Sequence, residues 1–206
     1  MVNLAWASGL RTFAEVNRRG YQSLLGCECC CLTSTVHDMF CVQRTWPAQA
    51  YDDCMVFQLT SDAFAEGAPI PKRHACDDQN ISPALAWSGE PAGTRSFALI
   101  MDDPDAPVRT WNHWLLWDIP AGTHALKERF RPSSTVQSGT NDFGKSGYGG
   151  PCPPRGNGPH RYYFKLYALN VETLALKDEA KRADLDRALK GHVLGEAQYM
   201  GRYERR

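Results

Sequence analysis

Gly147-Tyr148-Gly149-Gly150-Pro151-Cys152-Pro153-Pro154-Arg155-Gly156-Asn157-Gly158-Pro159-His160-Arg161-Tyr162-Tyr163-Phe164 joins a turn-rich loop to the beginning of a strand. Glycine accepts positive φ and lets a ligand approach the backbone. Proline fixes φ and removes freedom from the unfolded loop. A loop containing both is pre-shaped and can present successive N–H groups as an anion-binding nest. Beyond it, period-two alternation puts His160, Tyr162, Phe164, Leu166 and Ala168 on one face. An imidazole and a phenol therefore stand at the loop end of a core-facing strand, in the wall of a pocket.

Working outward, the chain reads as strands and turns. Ser96-Phe97-Ala98-Leu99-Ile100-Met101 is an apolar run of the kind buried on both faces, and it ends in Asp102-Asp103-Pro104-Asp105-Ala106-Pro107. Asp and Pro are turn formers, but one Asp suffices for a turn, so this cluster also reads as functional. The next strand, Trp111-Asn112-His113-Trp114-Leu115-Leu116-Trp117-Asp118-Ile119, places Trp111, His113, Leu115 and Trp117 on one face by alternation. A second inward-facing histidine soon after an acid cluster strengthens the reading of a site. Val56-Phe57-Gln58-Leu59 and the stretch leading to Trp87 are further strands. Residues 124–137 are polar without a clear period, residues 180–190 form an amphipathic helix stopped by Gly191, and a last strand covers residues 193–203. The expected fold is mainly β: an antiparallel β-sandwich with one late helix and short helical turns. No dinucleotide, Walker or nucleophile-elbow pattern is present.

With 206 residues, 43% of them hydrophobic, the chain suits one domain plus a tail. Its formal net charge is zero, so nucleic acid is not an expected partner. No apolar run approaches the ~20 residues of a membrane span. Residues 1–54 are expected to be a disordered or mis-assigned leader before a domain at 55–206, with Met55 the authentic start. Cys27, Cys29, Cys30, Cys31, Cys41 and Cys54 lie in that leader, near His37, and crowd together unlike a zinc site. No export signal is evident, so a reducing, cytoplasmic compartment is expected. Cys76 and Cys152 have the means to pair, but nothing in the sequence demands it. Cys152, between two prolines, reads as packing under the loop rather than as a nucleophile beside His160.

Three motifs in order carry a resemblance: Asp103-Pro104-Asp105-Ala106-Pro107, then Trp111-Asn112-His113-Trp114, then the opening stretch with His160-Arg161-Tyr162. Two further stretches accompany them, Cys76-Asp77-Asp78-Gln79-Asn80-Ile81-Ser82-Pro83 and Lys190-Gly191-His192-Val193-Leu194-Gly195-Glu196-Ala197. Together they resemble the phosphatidylethanolamine-binding protein family, in its bacterial and archaeal Raf-kinase-inhibitor-like branch, over residues 55–203. The resemblance implies an anion pocket formed by Asp103, Asp105, His113, His160 and Tyr162, with Trp111, Gly150 and Pro151 as walls. Imidazole, phenol and loop N–H groups would donate to phosphate oxygens, and an Asp would orient a histidine or receive an ammonium. The implied function is binding of a small anion or phosphoethanolamine-like lipid head group, with modulation of a kinase or protease and a homodimer as further implications. No cofactor, bound metal or catalytic residue is expected. The alternative is a phosphoesterase-type or metal-dependent enzyme using the same His/Asp set. Histidine protonation predicts that anion binding strengthens as the pH falls toward about 6.

Overall fold

The computed structural model describes residues 56–177 and 179–206. The leader, its cysteine cluster and the proposed start at Met55 lie outside the described residues. In chain order the strands are Gln58–Thr60 (β1), Leu85–Ser88 (β2), Ser96–Asp103 (β3), Trp111–Pro120 (β4), Ala125–Leu126 (β5), Gln137–Ser138 (β6), His160–Leu169 (β7) and Val193–Tyr203 (β8). The helix Arg182–Leu189 (α1) precedes β8, and a single 3-10 turn covers Lys72–His74. The mainly antiparallel β reading with one late helix therefore holds. Two short strands, β5 and β6, also occur in the segment whose sequence shows no period.

A five-stranded sheet ordered β6-β4-β3-β7-β8 packs against a three-stranded sheet ordered β1-β2-β5, and all named pairings are antiparallel. β3 is central, which explains its uninterrupted apolar run: all its residues are buried. Alternation then divides the core into two layers. Leu59, Trp87 and Leu126 from the small sheet meet Leu99, Met101, Trp114 and Phe164 between the sheets. Ala98, Ile100, Leu115 and Trp117 face the other way and are covered by Leu185 and Leu189 of α1. Asp184 starts α1 by accepting a 3.0 Å hydrogen bond from the Lys181 N–H, and Gly191 follows it at φ 81°. Asp102 lies on the helix side of the sheet. It is buried in an ion pair with Arg182 of α1, and Lys165 Nζ lies 3.5 Å away. One of the three clustered acids therefore anchors the helix and takes no part in a pocket. Among the described residues no helix is long and apolar enough to cross a membrane.

β4 departs from strict alternation where it matters most. Met101 of β3 pairs with Trp114, whereas Asp102 pairs with Asn112, so His113 is an extra residue in a β-bulge. Alternation would have grouped His113 with Leu115 and Trp117, which face α1. The bulge turns it to the other side, where its ring meets Tyr162 edge-on at 5.2 Å between centroids. The expected shared face of Trp111, His113, Leu115 and Trp117 is thus corrected: the histidine belongs to the inter-sheet layer.

Candidate functional site

The end of β3, the bulge of β4 and the start of β7 are neighbours in the sheet, and their side chains converge on Asp103. His160 Nδ1 donates to Asp103 Oδ2 at 2.8 Å, with both side chains 4% exposed. The other carboxylate oxygen, Oδ1, accepts the Asp105 N–H at 2.9 Å, the turn role expected of an Asp here. His113 Nδ1 donates to the Gly149 carbonyl at 2.7 Å. These partners assign the proton of each neutral ring to Nδ1, and neither Nε2 has a hydrogen-bond partner among the described residues. Burial holds His113 below the ordinary histidine range, with the Gly149 carbonyl and Asp103 pulling weakly the other way.

Tyr162 is fully buried, and its hydroxyl has no hydrogen-bond partner among the described residues. The Asp103 carboxylate and the Cys152 backbone are its polar neighbours, without reaching hydrogen-bond geometry. Burial first, then the Asp103 charge, push the phenol well above its ordinary value. Phe143 packs edge-on against both His113, at 5.2 Å, and half-buried Trp111, at 5.6 Å. The Arg109 guanidinium sits 5.3 Å over the Trp111 ring and 2.8 Å from Asp142, whose carboxylate also accepts the Asn112 N–H at 2.7 Å.

Asp105 stands apart from the imidazoles. Its carboxylate accepts Arg161 Nη2 at 2.6 Å and both the backbone N–H and Nε of Arg161 at 2.9 Å. The side-chain hydrogen bond to Arg161 holds its pKa down at about 2. Arg161 is an outward residue of β7 by the same alternation that turns His160 and Tyr162 inward. Of the expected set, the structure brings together Asp103, His113, His160 and Tyr162 beside Trp111, and it pairs Asp105 with an exposed cation.

The glycine–proline lip is held by residues 74–81. Gly149 N–H donates to the His113 carbonyl at 2.9 Å, and Gly150 N–H donates to Asn80 Oδ1 at 2.7 Å. Both donors are thereby occupied, which corrects their expected part in an anion nest. A Cβ on Gly150 would stand 2.1 Å from the His74 carbonyl oxygen, so only glycine fits this wall. The Pro151 carbonyl accepts Cys76 N–H at 3.1 Å, and the Tyr148 hydroxyl donates to the His74 carbonyl at 2.8 Å. Cys76 and Cys152 form a disulfide across a separation of 76 residues. Cys152 is therefore neither a free thiol packed beneath the loop nor a nucleophile. The expectation of a reducing compartment, drawn from cysteine usage, loses its support. His74 is fully buried, with Nδ1 donating to Ile81 O at 2.9 Å, and burial lowers its pKa.

His74, Cys76 and Asn80 are supports that residue-by-residue reading did not assign. Asn80 adopts φ 56°, a conformation in which Asn is favoured among non-glycine residues. A surface groove of about 480 Å³ shares Pro159 with the loop, but it is lined by residues such as Ile70, Lys72, Arg202 and Tyr203 and by none of the imidazole cluster. Among the described residues no three His, Cys, Asp or Glu side chains form a metal-binding group.

The pattern of the family described as "Phosphatidylethanolamine-binding protein" matches residues 60–204. A UPF0098 protein of Aquifex aeolicus is 48% identical over 153 residues, covering 73% of this chain and 90% of the relative. The crystal structure of Escherichia coli YbcL, described as a new member of the mammalian PEBP family, superposes with a TM-score of 0.69 at 35% identity. It covers 73% of this chain and 99% of that one. A phosphatidylethanolamine-binding protein homolog from Chlamydia trachomatis superposes with a TM-score of 0.68 at 38% identity, covering 74% of this chain and 99% of the other. The chain belongs to the phosphatidylethanolamine-binding protein family.

Proposed function

We propose that the protein binds a small phosphate-bearing anion, of the phosphoethanolamine type, at the cluster centred on Asp103, and that it binds without turning the ligand over. One observation carries this reading: among the described residues the buried Tyr162 hydroxyl lacks a partner while two imidazoles nearby keep Nε2 uncommitted. A buried polar group without a partner costs free energy. A phosphate oxygen would supply the missing acceptor, and protonated Nε2 atoms would add charge-assisted donors. The Asp103 carboxylate keeps His160 oriented through its Nδ1. Asp105 is engaged by Arg161 and Asp103 by His160, so neither carboxylate is free to activate water.

The test is calorimetric titration of phosphoethanolamine and of inorganic phosphate into wild type and His160→Ala between pH 8 and pH 5.5. Affinity is expected to rise by up to about tenfold per pH unit for each proton taken up, and the rise is expected to shrink in the variant. Affinity that is independent of pH, or equal in both proteins, refutes the proposal.

A further inference from the structure

We propose that Cys76–Cys152 is a thiol-exchange site for a dithiol reductant, with Cys152 as the sulfur that leaves as thiolate. Both cysteines are half-buried, so the bond lies within reach of a partner. Arg205 Nη1 lies 3.5 Å from Cys152 Sγ. Its Nε is buried with no hydrogen-bond partner. Among the described residues no carboxylate lies within ion-pair distance of this guanidinium, although the next residue, Arg206, reaches Glu204 at 3.8 Å. A disulfide sulfur is neutral and a weak acceptor, so in the oxidised protein the cation is poorly matched to its neighbour. A thiolate on Cys152 would match it, because an adjacent arginine lowers a thiol's pKa. The sulfur with the lower thiol pKa is the better leaving group in exchange, which directs attack to Cys76.

A thiolate of the dithiol attacks Cys76 Sγ, and the S–S electron pair departs on Cys152 beside Arg205. The reductant's second thiolate then attacks its own sulfur in the mixed disulfide. Cys76 leaves and takes up a proton. Two electrons pass to the cysteine pair, and the dithiol ends as a disulfide.

The bond also ties the pocket lip to its support. Reduction leaves residues 148–151 held there by packing and three hydrogen bonds: Cys76 N–H to Pro151 O, Gly150 N–H to Asn80 Oδ1, and Tyr148 hydroxyl to His74 O. Resting on the binding reading above, the reduced protein holds phosphoethanolamine roughly tenfold more weakly, a usual size for coupling between two sites.

The experiment reduces the full chain with dithiothreitol, without denaturant, and follows alkylation by iodoacetamide with peptide mass spectrometry at pH 7. Cys152 is expected to alkylate at least about tenfold faster than Cys76, and Arg205→Gln is expected to abolish that preference with an unchanged circular dichroism spectrum. Resistance of the bond until urea is added overturns the proposal, as do equal alkylation rates in wild type or a preference that survives Arg205→Gln. Phosphoethanolamine titrations of the oxidised, reduced and Cys76→Ser/Cys152→Ser proteins form a separate arm. Equal binding by all three overturns the coupling to the pocket. Binding by none overturns the binding reading itself, and the alkylation result stands on its own.

Discussion

Replacing Tyr162 by Phe deletes one oxygen and nothing else. That oxygen is buried beside Asp103 with no hydrogen-bond partner among the described residues, and such a group costs about 1–3 kcal/mol. Removing it recovers part of that cost, less the contacts of the lost atom, so a net gain of about 1 kcal/mol is expected. For a chain of this size that corresponds to a rise of about 2–4 °C in Tm. Binding moves the opposite way. A hydrogen bond from the hydroxyl to a phosphate oxygen is charge-assisted and worth about 1.5–3 kcal/mol, so phosphoethanolamine affinity is expected to fall about ten- to hundredfold. Differential scanning calorimetry and isothermal titration on the same preparations give both numbers. A Tyr162→Phe protein that is less stable, yet binds as tightly as wild type, refutes the reasoning. Its hydroxyl would then serve the fold and not the ligand.

Gly150→Ala drives a methyl to 2.1 Å from the His74 carbonyl and 2.7 Å from Asn80 Oδ1. Overpacking together with the lost Gly150–Asn80 hydrogen bond is expected to cost about 2–4 kcal/mol by urea denaturation. Gly156→Ala, at φ 83° with no atom within 4 Å, should cost only the backbone strain of about 1–2 kcal/mol. Equal costs at the two positions would contradict this account of the lip. Stability is also expected to fall as the pH drops below about 6.5. His113 and His74 are held below the ordinary histidine value, so the folded state binds fewer protons there than the unfolded chain. Asp105, held at about 2, adds a further loss as the pH falls from about 4 toward that value. Urea midpoints that are flat from pH 8 to pH 5 would contradict the histidine assignment.

The site was legible in sequence wherever a local rule governs it. Alternation along β7 places His160 and Tyr162 inward correctly, because that strand is regular through its first nine pairings with β8 and buried on alternate residues. The apolar run of β3 announced a central strand for the same reason. What stayed hidden depends on partners distant in the chain. Extrapolating the period of β4 assigns His113 to the wrong layer, since the bulge is set by pairing with β3. The three adjacent acids look equivalent in sequence, yet Asp102, Asp103 and Asp105 go to Arg182, His160 and Arg161. Those choices follow from where a helix and a neighbouring strand present their basic side chains. The Cys76–Cys152 bond spans 76 residues and has no local signature. Stretches without period, such as the one containing β5 and β6, become strands only because existing edges recruit them.

The supernumerary residue in β4 has an evolutionary corollary. Excising one position there would straighten the ladder and rotate the local side chains by half a turn, while the two hydrophobic layers on either side of the sheet stayed intact. The architecture and the convergence of side chains at Asp103 are thus inherited through different residues. A descendant shortened at this point would keep the family's silhouette and lose the contact between His113 and Tyr162.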